Sequence, residues 1–158
     1  MRPLLLIDVD GVLNPSMSNS EAKRRGFMTR HAHDSHGWRY RLFLHNDHGR
    51  WLKAMTDQFE LVWATTWEHT ANVAIGPKIG LPELPVVEFD FVQDQDSKVP
   101  GIVRFTQGRP FVWLDDDATD YDRELLEQNP KGLLIDIDHR VGLTPEHLEA
   151  ARSWANAL

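Results

Sequence analysis

Short apolar runs that stop at acids, glycine or proline recur along the chain. They lie at residues 3–8, 61–65, 85–89, 110–114 and 132–137. A short, continuous apolar run bounded in this way is typical of a strand that is buried on both faces. The pattern therefore predicts five buried strands.

Stretches with helical character separate these runs, at about residues 46–58, 67–75, 98–106, 119–129 and 144–157. The last of them has Thr144 as a candidate N-cap and Pro145 at the first helical position, followed by an apolar stripe. Alternating buried strands and helices predict an α/β fold with a parallel sheet covered by helices on both faces. Ligands of such sheets bind at the carboxyl ends of the strands.

Composition limits the class of protein further. The chain has 158 residues, of which 41% are hydrophobic and none is cysteine, which favours one domain over residues 1–158 and excludes a thiol nucleophile or a thiolate zinc site. The apolar run before Asp8 is shorter than a signal-peptide core or the roughly 20 residues of a membrane span. We therefore expect a cytoplasmic protein with no membrane partner and no obligate protein partner.

Charge is distributed unevenly along the chain. The net charge is −7, which argues against a protein that binds nucleic acid over its whole surface. Residues 21–50 nevertheless hold seven Lys and Arg and only three Asp and Glu, and they also hold five of the eight histidines. This shift in composition predicts a small basic insertion after the first strand, at about residues 14–46. Arg39 and Arg41 lie within it.

Acids, threonines and a lysine follow the predicted strands. Asp8 and Asp10 end the first run, and Thr65 and Thr66 end the second. Lys98 begins the short helix before the fourth run, and that run is followed by Asp115, Asp116, Asp117 and Asp120. Because the carboxyl ends of parallel strands meet at one edge of a sheet, we expect these groups to converge there.

Such a set of groups suits phosphoryl transfer. Asp8 and Asp10 are two residues apart at a strand end, so their side chains leave the backbone on the same side. One carboxylate can attack phosphorus while the other protonates the leaving oxygen and later activates water. The hydroxyl of Thr65 and the ammonium of Lys98 can hold the phosphoryl oxygens.

So many carboxylates at one edge repel one another unless a cation joins them. Hard oxygen ligands select Mg²⁺, so the sequence predicts Mg²⁺ as the cofactor, with Asp115, Asp116 and Asp120 among the candidate ligands. Helix capping is the alternative role for acids in such places.

The order Asp-x-Asp-Gly, Thr, Lys, Asp-Asp resembles the haloacid dehalogenase (HAD) superfamily of phosphotransferases. The motifs are DVDGVLN at 8–14, VWATTW at 62–67, Lys98, and VWLDDDATD at 112–120, where the paired acids are spaced by four. The resemblance implies a HAD-like, Rossmannoid sheet. It also implies that the insertion after the first motif is a cap that covers the site, which makes Arg39 and Arg41 candidates to meet an anionic substrate. The phrases WATTWEHTAN and GLTPEHL narrow it to the small HAD domains associated with predicted RNA-repair proteins.

This resemblance also implies roles for individual residues. Asp8 would be the nucleophile and a metal ligand, Asp10 the general acid and base that also binds the metal through its carbonyl, and Asp116 a further ligand. Thr65 is the favoured second-motif residue, with Thr66 as the alternative. The subgroup implies action on the phosphate end of a nucleic acid or a nucleotide.

The histidines of the insertion and the tryptophan after the two threonines are two further candidates. His31, His33 and His36, with His45 and His48, match no recognised zinc or nickel pattern, and the composition favours a solvated polar loop. Trp67 directly follows the two threonines and is a candidate, together with Thr66, to line the substrate entrance.

We therefore expect a Mg²⁺-dependent phosphomonoester hydrolase that acts through an aspartyl phosphate on a small molecule or a nucleic-acid end. A catalytically silent HAD-like binding module and a phosphoacceptor signalling domain are the alternatives from other classes, and a Mg²⁺-dependent nuclease is a third. The position of Lys98 before the Asp115–Asp116 pair argues against the signalling domain, because receivers place their lysine last.

Overall fold

The computed structural model describes residues 1–158, which contain six strands, six α-helices and one short 3-10 helix at Gly76–Ile79. The strands are β1 (Leu4–Ile7), β2 (Phe27–His33), β3 (Arg39–His45), β4 (Glu60–Trp63), β5 (Phe111–Asp115) and β6 (Gly132–Asp136). The helices are α1 (Asn19–Arg24), α2 (His48–Lys53), α3 (Thr70–Ala74), α4 (Val99–Thr106), α5 (Asp120–Glu127) and α6 (Pro145–Asn156). None of these helices combines the length and the apolar character that crossing a bilayer requires.

Four strands form one parallel sheet in the order β4-β1-β5-β6. At its carboxyl edge, Ile7 of β1 pairs with Trp63 of β4 on one side and with Leu114 of β5 on the other. Helices connect these strands, so the α/β fold predicted from the alternation of apolar runs is confirmed. The residues after β1, β4 and β5 consequently leave the sheet next to one another.

Both faces of the sheet are covered, because alternate residues of each strand point to opposite sides. Leu5 and Ile7 of β1 belong to a core that includes residues of α2, α3 and α6. Leu4 and Leu6 belong to a second core that includes Val99 and Ile102 of α4 and is flanked by residues of α5. The continuous apolar run of β1 is thus fully buried from both sides, with exposures of 0–1%.

Three predicted elements differ from the structure. The run at 132–137, predicted as a buried strand, forms the edge strand β6 and is only partly buried. Residues 85–89 form a single bridge beside β4, from Trp63 to Val86, instead of a strand. Pro85 has no N–H to donate to a ladder, and the N–H of Phe89 bonds to the side chain of Glu68. The helix predicted at 46–58 is confined to His48–Lys53, because the chain turns over the next residues to enter β4.

The predicted insertion at about 14–46 folds as α1 followed by an antiparallel hairpin of β2 and β3. One face of the hairpin, the inner face, carries Ala32, Leu42 and Leu44 into the main core. The opposite face, the outer face, carries Phe27 and Phe43, which pack with Ala22 of α1 in a separate small cluster.

The solvated polar loop that the composition favoured is present only at His36, which lies exposed in the turn between β2 and β3. The other four histidines lie in secondary structure. His31 and His33 belong to β2, whereas His45 stacks on Trp51 at a centroid separation of 4.5 Å. His48 is completely buried, and burial lowers its pKa to about 3. The imidazoles at the base of the hairpin therefore pack as aromatic rings, in contact with one another and with Phe27.

Replacing Leu42 with alanine tests whether the hairpin shares the main core. Leu42 is 1% exposed, and truncating a buried leucine costs about 2–5 kcal/mol of the free energy of unfolding, which urea denaturation measures. Met28 lies on the same face but is 42% exposed, so Met28→Ala, the matched control, should cost about 0.5 kcal/mol or less. Equal losses in the two variants would contradict this account of the hairpin.

Candidate active site

A largely buried ammonium joins two carboxylates at the carboxyl edge of the sheet. Asp8 directly follows β1, Asp115 is the last residue of β5, and Lys98 precedes α4. The Nζ atom of Lys98 lies 3.2 Å from Oδ2 of Asp8 and 2.7 Å from Oδ2 of Asp115. These three predicted site residues are therefore brought together, as the parallel topology requires.

A third carboxylate, that of Asp116, completes an acidic cluster with Asp8 and Asp115. One oxygen from each of the three lies within 4.8 Å of the others. Gly11 makes room for it: its φ is +79°, and a Cβ at this position would lie 2.1 Å from Cγ of Asp116. Only glycine fits both the left-handed backbone and the close approach of that carboxylate.

Burial dominates the electrostatics of the cluster. It raises the pKa of Asp8 to about 8, although the charge of Lys98 opposes the rise. Burial also raises the pKa of Asp116, and the charge of Asp115 adds to this effect. For Lys98, burial favours the neutral amine, but the charges of Asp8 and Asp115 outweigh it and raise its pKa.

The donor set of this cluster fits Mg²⁺. Asp8, Asp115 and Asp116 offer only carboxylate oxygens, which are the hard ligands that Mg²⁺ prefers. Lys98 is the one positively charged side chain in contact with these carboxylates. The cluster therefore keeps an excess of negative charge, which a divalent ion would offset. Asp120, a predicted ligand, lies exposed in the first turn of α5 and is not part of the cluster.

Asp10 stands at the rim, with its carboxylate held from two sides. Oδ1 accepts a hydrogen bond from Nδ2 of Asn14 at 3.0 Å, and Oδ2 accepts one from Nε1 of Trp67 at 3.0 Å. The Oδ1 atom of Asn14 in turn accepts from the backbone N–H of Phe43 in β3 at 2.8 Å. Asn14 thus connects the carboxylate of Asp10 to the hairpin.

Two cavities meet at Asp10. The larger, of about 310 Å³, contains Asp8, Lys98 and the acids that follow β5, and we call it the phosphoryl cavity. The smaller, of about 220 Å³, lies between the hairpin tip and the segment after β4, and we call it the cap cavity. Asp10 and Thr66 line both cavities.

The structure distinguishes the two threonines after β4. Thr65, the favoured residue by position, is completely buried, and its hydroxyl accepts a hydrogen bond from the N–H of Trp67 at 3.2 Å. Thr66 is exposed and lies on the wall of both cavities. The segment therefore brings Thr66 and Trp67, but not Thr65, to the cavity walls.

Arg39 and Arg41 do not reach either cavity. Both lie on the outer face of the hairpin, and the guanidinium of Arg41 lies 5.2 Å from the ring centroid of Phe43. Tyr40 between them faces the opposite way, lines the cap cavity and contacts Trp67. The alternation of side chains along β3 separates the two arginines from the site, a consequence that the charge pattern did not reveal.

Sequence reasoning also missed the residues that hold Lys98 in place. The carboxylate of Asp122 in α5 accepts hydrogen bonds from the hydroxyl of Ser97 and from the N–H and hydroxyl of Thr119. Ser97 additionally accepts from the N–H of Val99 at 3.1 Å. The spacing of Thr119 and Asp122 is that of a capping box, which was a usable signal in the sequence.

A parallel sheet with Asp8, Lys98 and Asp115 at its carboxyl edge, and a small cap after the first strand, defines the chain as a HAD-like domain. Residues 4–148 match the family described as "HAD domain in Swiss Army Knife RNA repair proteins", and the chain belongs to this family. The predicted resemblance is thus confirmed, and it supports a phosphatase-like function in general. No curated protein and no solved structure matches the chain.

The buried carboxyl of Asp8 predicts a pH dependence of stability in the absence of divalent cations. In the folded chain Asp8 keeps its proton up to about pH 8, whereas its ordinary pKa is 3.8. Between these values the folded state binds the extra proton, so the contribution of Asp8 to the free energy of unfolding falls as pH rises. In urea titrations with EDTA, Asp8→Asn should therefore gain stability relative to wild type from about pH 4 to about pH 8.

His48 titrates in both proteins, so its own contribution cancels in this comparison. Asp57, an exposed acid paired with Arg152 at 3.2 Å, provides the control. Its pKa is lowered, chiefly by the hydrogen bond from Arg152, so Asp57→Asn should show no such gain. A difference between wild type and Asp8→Asn that stays constant with pH would contradict the burial of this carboxyl.

Proposed function

We propose that the protein is a Mg²⁺-dependent phosphomonoester hydrolase in which Asp8 forms an aspartyl phosphate. The observation that carries this proposal is the arrangement of the two carboxylates. Asp8 lies inside the phosphoryl cavity beside Lys98, while Asp10 lies where that cavity meets the cap cavity. A phosphoryl group beside Asp8 would thus have its leaving group on the side of Asp10.

In the first step, a carboxylate oxygen of Asp8 attacks phosphorus, and the bond from phosphorus to the ester oxygen breaks. The departing oxygen keeps the electron pair and takes a proton from the carboxyl of Asp10. In the second step, Asp10 removes a proton from water as that water attacks phosphorus, which releases inorganic phosphate and restores Asp8. Asn14 and Trp67 orient Asp10 throughout, through the hydrogen bonds described above.

The remaining groups offset charge. The ammonium of Lys98, held between Asp8 and Asp115, and the hydroxyl of Thr66 on the cavity wall suit the phosphoryl oxygens. Mg²⁺ bound by Asp8, Asp115 and Asp116 would supply a positive charge that offsets the charge of the phosphoryl group. The link of the family to RNA repair supports a nucleotide or the phosphate end of a nucleic acid as substrate.

Release of inorganic phosphate from p-nitrophenyl phosphate, mononucleotides, sugar phosphates and 5′- or 3′-phosphorylated oligonucleotides tests the proposal. We expect turnover that requires Mg²⁺ and that falls to background in Asp8→Asn, because this variant has no nucleophile. Asp10→Asn should lose about 10²- to 10⁴-fold in kcat, the usual contribution of general acid and base catalysis. Asp57→Asn, an exposed change of the same chemical kind, is the control.

None of the alternatives releases inorganic phosphate, so two added readouts separate them: radiolabelled phosphate trapped on Asp8 and cleavage of internal phosphodiesters. A silent binding module would fold, bind Mg²⁺ and release no phosphate from any substrate. A signalling domain would accept a phosphoryl group on Asp8 without turnover. A nuclease would cleave internal phosphodiesters without a covalent intermediate, so trapping of radiolabelled phosphate on Asp8 distinguishes it from a phosphomonoester hydrolase.

The two threonines after β4 provide a second prediction. Thr66→Val removes a hydroxyl from the wall of the phosphoryl cavity, and losing one such donor costs about 10²- to 10³-fold in kcat. Thr65→Val removes a buried hydroxyl that only accepts a hydrogen bond from Trp67, so it should lower the free energy of unfolding by about 1 kcal/mol and change kcat less. A larger loss of kcat in Thr65→Val would assign the role to Thr65 instead.

A further inference from the structure

The cap cavity lies on the leaving-group side of Asp10. It shares Asp10 and Thr66 with the phosphoryl cavity and extends from them to the tip of the hairpin. If Asp10 protonates the departing oxygen, as in the function proposed above, the rest of the leaving group occupies this space. The lining of the cap cavity therefore determines which phosphate esters fit, and the following inference rests on that proposed function.

Carboxylates, hydroxyls and aromatic rings line the cap cavity, without any lysine or arginine. The carboxylates are those of Asp10 and Asp34, the hydroxyls include those of Ser35 and Thr70, and His36 is the only basic residue. The carboxylate of Asp34 repels a further anion in so small a cavity, whereas it accepts hydrogen bonds from uncharged donors. The lining thus suits an uncharged leaving group that carries hydroxyl groups.

Asp34 keeps its negative charge and its orientation through the turn of the hairpin. Its Oδ1 atom accepts hydrogen bonds from the N–H groups of His36 and Trp38 at 2.9 and 3.0 Å. Its Oδ2 atom accepts only the hydroxyl of Tyr40, at 3.3 Å, which leaves this oxygen able to accept from a ligand. These hydrogen bonds outweigh the partial burial of Asp34 and hold its pKa below the ordinary value.

Two aromatic rings form the side of the cap cavity. Tyr40 and Trp67 come from the hairpin and from the segment after β4, and their centroids lie 5.5 Å apart at an interplanar angle of 69°. Such rings pack favourably against a flat ring of a ligand. The volume of about 220 Å³ is below the roughly 300–1,000 Å³ of sites for drug-sized ligands, so the cavity holds one ring-bearing unit and the rest of a longer chain would extend beyond it.

We propose that the cap cavity is a leaving-group subsite for one uncharged, ring-bearing alcohol unit such as a nucleoside, and that Asp34 excludes a second phosphate from it. Tyr40 and Trp67 contact the ring of this unit, and Asp34 accepts hydrogen bonds from its hydroxyl groups. A further phosphate of a longer substrate has to lie outside the cap cavity.

Kinetics with matched substrates tests this subsite. For removal of the 5′-phosphate by the wild-type protein, kcat/KM should be at least about 10-fold higher with adenosine 5′-monophosphate than with adenosine 3′,5′-bisphosphate. The reason is that the negative charge of Asp34 repels the 3′-phosphate in the cap cavity. Asp34→Asn should lower this ratio towards one, since it removes the charge and retains the oxygen that caps the turn. Asp57→Asn, remote from the cavity lining, should leave the ratio unchanged.

The aromatic wall is tested separately. Tyr40→Ala should lower kcat/KM for adenosine 5′-monophosphate by about 5- to 150-fold, the usual loss on removing a ring that stacks on a base. The loss for glycerol 3-phosphate, which has no ring, should be much smaller. Equal losses for both substrates, or a ratio of monophosphate to bisphosphate that Asp34→Asn leaves unchanged, would overturn the proposed subsite.

Binding of adenosine without any phosphate separates this inference from the proposed function. Titration calorimetry of the wild-type protein should detect adenosine binding that Tyr40→Ala weakens by about 5-fold or more. Absence of hydrolysis for every phosphate ester, with this binding intact, would reject the proposed phosphatase and retain the subsite. Hydrolysis of p-nitrophenyl phosphate without adenosine binding or monophosphate preference would retain the phosphatase and reject the subsite.

Discussion

The burial of neighbouring carboxyl groups is the constraint on which the rest of the structure depends. The parallel sheet delivers Asp8 and Asp115 to one edge, and the covering helices remove both from water. Such a pair is costly without a compensating cation, and Lys98 reaches both residues from the start of α4. The hydrogen bonds of Asp122 and Ser97 hold the backbone at the start of α4, where Lys98 lies. They therefore help to keep the ammonium beside the two carboxylates, in addition to joining α4 to α5.

Most of the fold was accessible from the sequence because burial on both faces leaves a strong local signal. The apolar run of β1 and the helix-start signals at Thr144 and Pro145 were sufficient to predict the elements there. Residues 85–89 show the limit of such reasoning, since their apolar composition resembles that of a strand. The missing N–H of Pro85 and the capture of the Phe89 N–H by a distant side chain leave only a bridge.

The chemistry of the site was accessible for a different reason: strand ends converge, so order along the chain predicts proximity. This places Asp8, Lys98 and Asp115 together without knowledge of any side-chain conformation. Which of two adjacent residues faces a cavity depends on backbone direction over one or two bonds, which composition does not encode. Thr65 and Thr66 have the same side chain and differ only in this respect. Tyr40 and Arg41, which are adjacent in β3, also face in opposite directions.

The inner face of the hairpin is constrained by packing more strongly than the outer face near the tip, and this difference should affect which positions vary among related chains. The inner face must match the core through Leu42, and Tyr40 on the same face must meet Trp67. The outer face beyond Phe43, which carries His31 and Arg41, contacts neither cavity. Substitutions during evolution should therefore accumulate at alternate positions near the hairpin tip, at residues 31, 33, 39 and 41, and not at Phe27 and Phe43, which are buried.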